Sequence, residues 1–192
     1  MNTIEEEQST YEENVALSSS IKGEYQDILL DSNGAIVWER PWQHNLIVNG
    51  MSRVLAALIK GDSQGMPLSF WAIGSGVARS STISDKRERT TLIQEMARKS
   101  IEYITFLDAK KNPTAELSNQ LEIKTYFTID QIDNQAEAIE LREFGLYAGG
   151  EWDPITHKPS LNNPGILINH HIHPKIELKK GFTLQRTLRL TF

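Results

Sequence analysis

The sequence is 192 residues long with a net charge of −5, a length that suits one domain able to bury a core without staples. It contains no cysteine, which excludes disulfides and thiolate metal sites and suits synthesis in a reducing compartment. The charge is uneven: residues 1–22 carry five acids and one base, while the remainder sums to −1, which excludes recruitment of nucleic acid by bulk charge.

The first stretch, Met1-Asn2-Thr3-Ile4-Glu5-Glu6-Glu7, is acidic and lacks an apolar run, so a secretory leader is not expected. No segment is apolar for long enough to cross a bilayer as a helix. Residues 1–22 read as an acidic flexible arm, with Val15 and Leu17 as an apolar hook for a neighbouring subunit. Residues 23–192 read as one β-sandwich domain. Gly23 to Arg40 predicts a hairpin, because Asn33-Gly34 supplies the two positive φ angles of a type I′ turn. Pro41 is expected to end its second strand. A helix is predicted over 45–60, where Ile47, Val48, Met51, Val54, Leu55, Leu58 and Ile59 fall on one face of a 3.6-residue period. Asn45 or Asn49 is expected to cap its start, and Gly61 suits its C′ position.

Met66 to Gly76 predicts a buried strand running into a glycine turn. Gly74-Ser75-Gly76 lacks the Lys-Ser/Thr end of a phosphate loop and the spacing of a nucleophile elbow. Val77 to Glu88 reads as an exposed loop, and Arg89 to Arg98 as a short helix or turn with Leu92, Ile93 and Met96 inward. Lys99 to Leu107 predicts a strand. Leu121 to Asp130 predicts a half-buried one with Leu121, Ile123, Thr125, Phe127 and Ile129 on the buried face. Ala138–Tyr147, Gly165–His173 and Phe182–Phe192 read as closing strands, the last expected to stop inside a sheet. Three prolines make Glu151–Pro164 a loop. About seven or eight strands, one helix and no βαβ alternation predict a mainly β (α+β) fold: an antiparallel β-sandwich with one amphipathic helix packed on or beside it.

Strand alternation puts His171 and His173 on one face and His170 on the other. A His-x-His pair can supply two metal ligands, and such pairs around a threefold axis would make a larger nitrogen site. The plainer use is as half-exposed strand residues before Pro174, and no metal or cofactor is expected. Glu140 and Arg142 share a face while Glu143 lies on the other, which suits an ion pair better than the paired carboxylates of glycoside cleavage. Trp42 and Trp152 fall in expected loops. Trp42 is expected to seal an end of the sandwich; Trp152 either seals an end or serves as an interaction residue, stacking on a sugar or filling a partner's pocket. No catalytic residue is expected.

Several of these stretches stand in a suggestive order. The helix Asn45–Lys60 follows an early aromatic segment, and Trp71-Ala72-Ile73-Gly74-Ser75-Gly76 follows the helix. A Leu-x-x-Glu-x-x-Arg step comes next, Leu92 to Arg98, then Leu141-Arg142-Glu143-Phe144-Gly145-Leu146-Tyr147. The closing strands are Leu167–Ile176 and Leu184–Phe192. This order, over 45–192, resembles that of small structural proteins of tailed phages and phage-derived contractile injection systems. The resemblance implies a tail, baseplate, collar or fibre-attachment component that works by oligomeric assembly and is not an enzyme. It implies copies of itself and other particle structural proteins as partners, in a virion or phage-like particle made in the bacterial cytoplasm, with no nucleic acid and no membrane insertion. The first 40 residues depart from the pattern. The alternative expectation is a receptor- or carbohydrate-binding module of a tail fibre that meets a surface glycan through loop aromatics. A glycan hydrolase comes last.

Overall fold

The computed structural model describes residues 21–62, 66–77, 86–133, 135–153, 158–160 and 162–192. Its strands are β1 (Lys22–Leu30), β2 (Ile36–Ile47), β3 (Leu68–Gly74), β4 (Glu95–Ser100), β5 (Tyr103–Leu107), β6 (Pro113–Thr114), β7 (Gln120–Thr128), β8 (Ala138–Ala148), β9 (Trp152–Asp153), β10 (Lys158–Pro159), β11 (Ile166–Lys179) and β12 (Thr183–Thr191). One α-helix, α1 (Asn49–Lys60), lies between β2 and β3. The expected class is the observed one: mainly antiparallel β, with a single helix among the described residues.

Ten strands follow one another in the order β4-β3-β8-β11-β2-β1-β12-β7-β5-β6, and every pairing is antiparallel. Strand β2 is the seam. Its Ile36–Asn45 stretch pairs with β1, whereas only Leu46 and Ile47 pair with β11, at His170 and Asn169. Beyond the seam the ladder folds over, so that Tyr25 of β1 meets Phe144 of β8 edge to face at 5.0 Å although two strands separate them in the order. Apolar residues at alternate positions drive this closure. Ile123 and Phe127 of β7 and Leu184, Leu188 and Leu190 of β12 share one buried cluster with Trp71, Ile73, Leu141, Phe144 and Leu146 of the other layer. The far face of β8 is covered too, by a smaller cluster of Val48, Ala72, Leu92, Tyr147 and Leu167.

Several elements differ from those expected. The β1–β2 turn has positive φ at Gly34 but not at Asn33, so it is not type I′. Asp31 shapes it instead, its Oδ1 accepting from the amides of Asn33 and Ala35 at 2.8 and 2.9 Å. Pro41 does not end β2. It falls where Tyr25–Asp27 of β1 face Gln43–Arg40, a bulge that gives β2 one extra residue and relieves the ladder of the missing N–H. Trp42 therefore lies in a strand. The helix starts at Asn49 rather than Asn45, with Val48 as an N-cap that has no side-chain hydrogen bond. Gly61 closes it at φ 71°, as expected. Only the first half of its apolar stripe is buried, at Met51 and Val54, while Leu58 and Ile59 are exposed.

The stretch 89–98 holds strand β4 instead of a helix, and Ile93 is exposed. Lys99–Leu107 splits between β4 and β5, whose Tyr103 and Ile104 are both exposed. The Glu151–Pro164 stretch carries the two-residue strands β9 and β10, paired to each other. Strand β11 continues through Pro174 to Lys179, with a register shift between Ile172 and Ile176 absorbing the proline. The buried face of β7 is as expected, with Ile123, Thr125 and Phe127 buried and Ile129 following in a short 3₁₀ turn. Phe192 donates its amide to Asn119 O at 2.9 Å, alongside the final strand.

Candidate functional site

Glu143 is fully buried on β8, where it looks at first like a buried acid paired with a histidine. Its Oε2 accepts from His170 Nε2 at 3.0 Å and from the Ile93 amide at 2.8 Å. Its Oε1 accepts from the amides of Gln94 at 2.6 Å and Gly76 at 3.1 Å. Burial alone would raise this carboxyl, but the hydrogen bonds from His170, Gln94 and Ile93 outweigh it and hold the group below its ordinary value. A carboxylate with both oxygens engaged and no solvent access has nothing left for a substrate, so this pair is a clamp. It ties the turn after β3 and the approach to β4 onto the face of β8. The glycines of Gly74-Ser75-Gly76 make room for it: a Cβ at Gly76 would stand 2.3 Å from Glu143 Oε1, and one at Gly74 2.7 Å. The Leu-x-x-Glu-x-x-Arg step converges on the same place. A Cβ at Gly145 would meet Leu92 at 2.7 Å. Arg98 pairs with Glu95 through Nε at 2.6 Å and lies 3.7 Å over the Tyr147 ring. Burial, reinforced by Glu95, raises the Tyr147 phenol well above its usual range.

His171 and His173 do share a face, and it is the interior between the layers. There β1, β2 and β12 bring together a charged cluster. Arg186 grips Asp27 with two bonds, Nε to Oδ1 at 2.6 Å and Nη2 to Oδ2 at 2.9 Å, and Arg40 Nη1 reaches Asp27 Oδ2 at 3.1 Å. Asp27 and Arg186 have no exposed surface. His173 donates Nδ1–H to the Pro174 carbonyl at 2.8 Å, so its Nε2 is the acceptor for Arg186 Nη2 at 3.2 Å. Tyr25 Oη lies 2.8 Å from His171 Nε2. Burial pushes both imidazoles down, helped by the Arg186 and Arg40 guanidinium groups: His171 to about 4 and His173 to about 2. Both Nε2 atoms are thus engaged, beside two fixed cations that repel a metal. No group of three or more His, Asp or Glu side chains is placed to hold a metal among the described residues. Glu140 and Arg142 form the expected surface pair at 3.4 Å, joined by Lys175.

The candidate surface for a partner lies elsewhere. Among the described residues, β2 between Ile36 and Asn45 pairs with β1 on one side only, so its other edge offers backbone N–H and C=O groups. At the tip of this hairpin Ile36, Val37 and Trp38 are 61%, 54% and 38% exposed, three consecutive apolar residues on both faces of the strand. A cleft of about 200 Å³ between Trp38, Leu29 and the Lys175–Glu177 stretch of β11 runs beside it. The sequence showed the hairpin but not this edge. The signal was the run Ile36-Val37-Trp38, which does not alternate and so cannot be buried on one face.

The interaction residues expected from the sequence fall outside the described side chains. Val15 and Leu17 lie outside the described residues. Trp152 belongs to β9, with its side chain outside what the structure describes. Trp42 is half-buried under Arg189, whose guanidinium stands 4.1 Å from its ring, so it offers no free stacking platform. Neither family models nor curated proteins match this chain.

Proposed function

We propose that the protein is a structural subunit that works by assembling with copies of itself through the open edge of β2, as a component of a phage tail or phage-like injection particle. The observation that carries this reading is the unprotected edge at Ile36–Trp38. Sheet edges are usually blunted by charge, proline or a bulge. Here Pro41 and its bulge guard the inner part of β2, and the apolar tip beyond them is left open. An antiparallel edge is self-complementary, so a twofold copy can extend the sheet across it. The particle assignment is supported by the order of the sequence stretches that resemble such proteins, several of which pack against each other around Glu143 and Tyr147.

The test is the mass of the purified protein in solution. The wild-type chain is expected to sediment as an oligomer and the double variant I36K/V37E as a monomer. Its thermal midpoint should be nearly unchanged, because exposed substitutions shift stability by only about 0.5 kcal/mol. A monomeric wild type, or a variant that assembles equally well, refutes the β2 interface. Recovery of the chain in stoichiometric amount from purified particles tests the particle assignment separately.

A further inference from the structure

A second cavity, of about 430 Å³, lies where the start of β1, the end of β2 and the first turn of α1 meet. Its lining contains Lys22, His44, Asn45, Asn49, Ser52 and Arg87, and no acidic residue among the described ones. The helix presents an open N-terminus to it. Val48 gives no side-chain cap, and the first turn carries no acid to offset the helix dipole. The Val48 amide is used by Ile168 O and the Met51 amide by Val48 O; those of Asn49 and Gly50 find no partner among the described residues. A second observation points the same way. Asn45 is only 8% exposed, and both atoms of its carboxamide lack a hydrogen-bond partner. A buried amide costs free energy unless something satisfies it.

We propose that this cavity is a carboxylate-binding site and that its occupant is a glutamate of residues 1–20. That segment has five glutamates (Glu5, Glu6, Glu7, Glu12, Glu13) and no lysine or arginine, and it joins the described chain at Ile21, itself part of the cavity lining. Glu13 stands eight residues before Ile21, a contour of roughly 27 Å, which is ample to fold back. The cations Lys22 and Arg87 supply the complementary charge, the helix terminus its N–H donors, and Asn45 a carboxamide N–H that is otherwise unspent. The glutamate comes from the same chain or from a neighbouring copy. The site does not depend on the β2 edge.

The experiment uses the full chain with its five N-terminal glutamates changed to glutamine, so that its own segment cannot compete. A fluorescent peptide of residues 1–20 is titrated into it and followed by anisotropy. Saturable binding is expected, weakened at least about tenfold by K22E/R87E, since reversing charges that face an anion removes its attraction. It should also be weakened by N45L, which leaves the charges in place. Lys22 and Arg87 are exposed, so the fold survives their replacement, as near-UV circular dichroism would show. The wild-type chain should bind the peptide more weakly. Weakening at every protein concentration means that the chain's own segment occupies the cavity; weakening only where the protein associates means that a neighbour's does. Absence of saturable binding, binding untouched by N45L, or equal binding to the wild-type and glutamine chains overturns the proposal.

Discussion

At Glu143 one carboxylate meets four donors, three of them backbone amides from a turn and a loop far away in sequence. Such an arrangement trades the hydration of a charge for bonds that water would otherwise make, and it holds only if every donor stays in place. Gly76 is the residue that permits the approach. A methyl there would also stand 2.5 Å from Ile93 Cβ, inside any real contact distance. Gly76→Ala is therefore expected to destabilise the fold by about 2–3 kcal/mol, through displacement of the clamp. Glu143→Gln should cost a similar ~2–3 kcal/mol, because an amide N–H then faces a backbone N–H. For a chain of this size that is a fall of roughly 5–10 °C in thermal midpoint, read by calorimetry or by urea denaturation. Midpoints that stay put in both variants would remove the clamp as a stability element.

At the level of elements, α1 sits against β11 because its second residue has no side chain. A Cβ at Gly50 would lie 1.9 Å from the Leu167 carbonyl oxygen, so the helix start touches the strand backbone directly. Gly61 at the other end has positive φ and open space around it. Gly50→Ala must lift the whole helix and is expected to cost more than about 3 kcal/mol, against about 1 kcal/mol for Gly61→Ala, where only the left-handed backbone is strained. Equal losses in the two variants, measured by urea denaturation, would show that the close approach is not limiting. The helix was legible in the sequence because Met51 and Val54 recur at its period, and its end because glycine suits the left-handed cap. Its start was not legible. Ile47 continues the same apolar stripe, yet it pairs with Asn169 more than 120 residues away, and periodicity carries no information about such a partner. The turn at Asn33-Gly34 was misread for a local reason: the Asp31 carboxylate offers its amides a better arrangement than the two-residue turn does.

Across the whole molecule, the two layers are joined by hydrogen bonds as well as by apolar contact, from Arg186 to His173 and between Tyr25 and His171. Arg186 shares a strand face with Leu184, Leu188 and Leu190, so the sequence carried the sign of an inward arginine. What it could not carry is the partner, since Asp27 lies 159 residues away. The His171 and His173 pair was legible as sharing a face, but not that the face is the interior. The arrangement sets how the molecule responds to acid. Asp27 of β1 carries one negative charge, whereas Arg40 of β2 and Arg186 of β12 carry two positive ones, so protonating His171 or His173 of β11 would add a third cation to a closed space. Both imidazoles titrate below their ordinary 6.5 in the fold, at about 4 and about 2, and the unfolded chain takes up their protons first. The stability they allow is whole above about pH 6.5 and is lost as pH falls, to about pH 4 for His171 and further for His173. Glu143, held below its usual value, adds a loss in the same direction below about pH 4.5. At pH 5 each imidazole should account for about 2 kcal/mol of lost unfolding free energy relative to pH 7.5. Urea denaturation at the two pH values would measure this. His171→Phe, which keeps a ring against Tyr25 and Phe144, is expected to remove about half of the histidine-linked loss. A wild-type stability flat between pH 7.5 and 5, or a His171→Phe chain as acid-sensitive as the wild type, would show that the charged cluster does not exclude these protons.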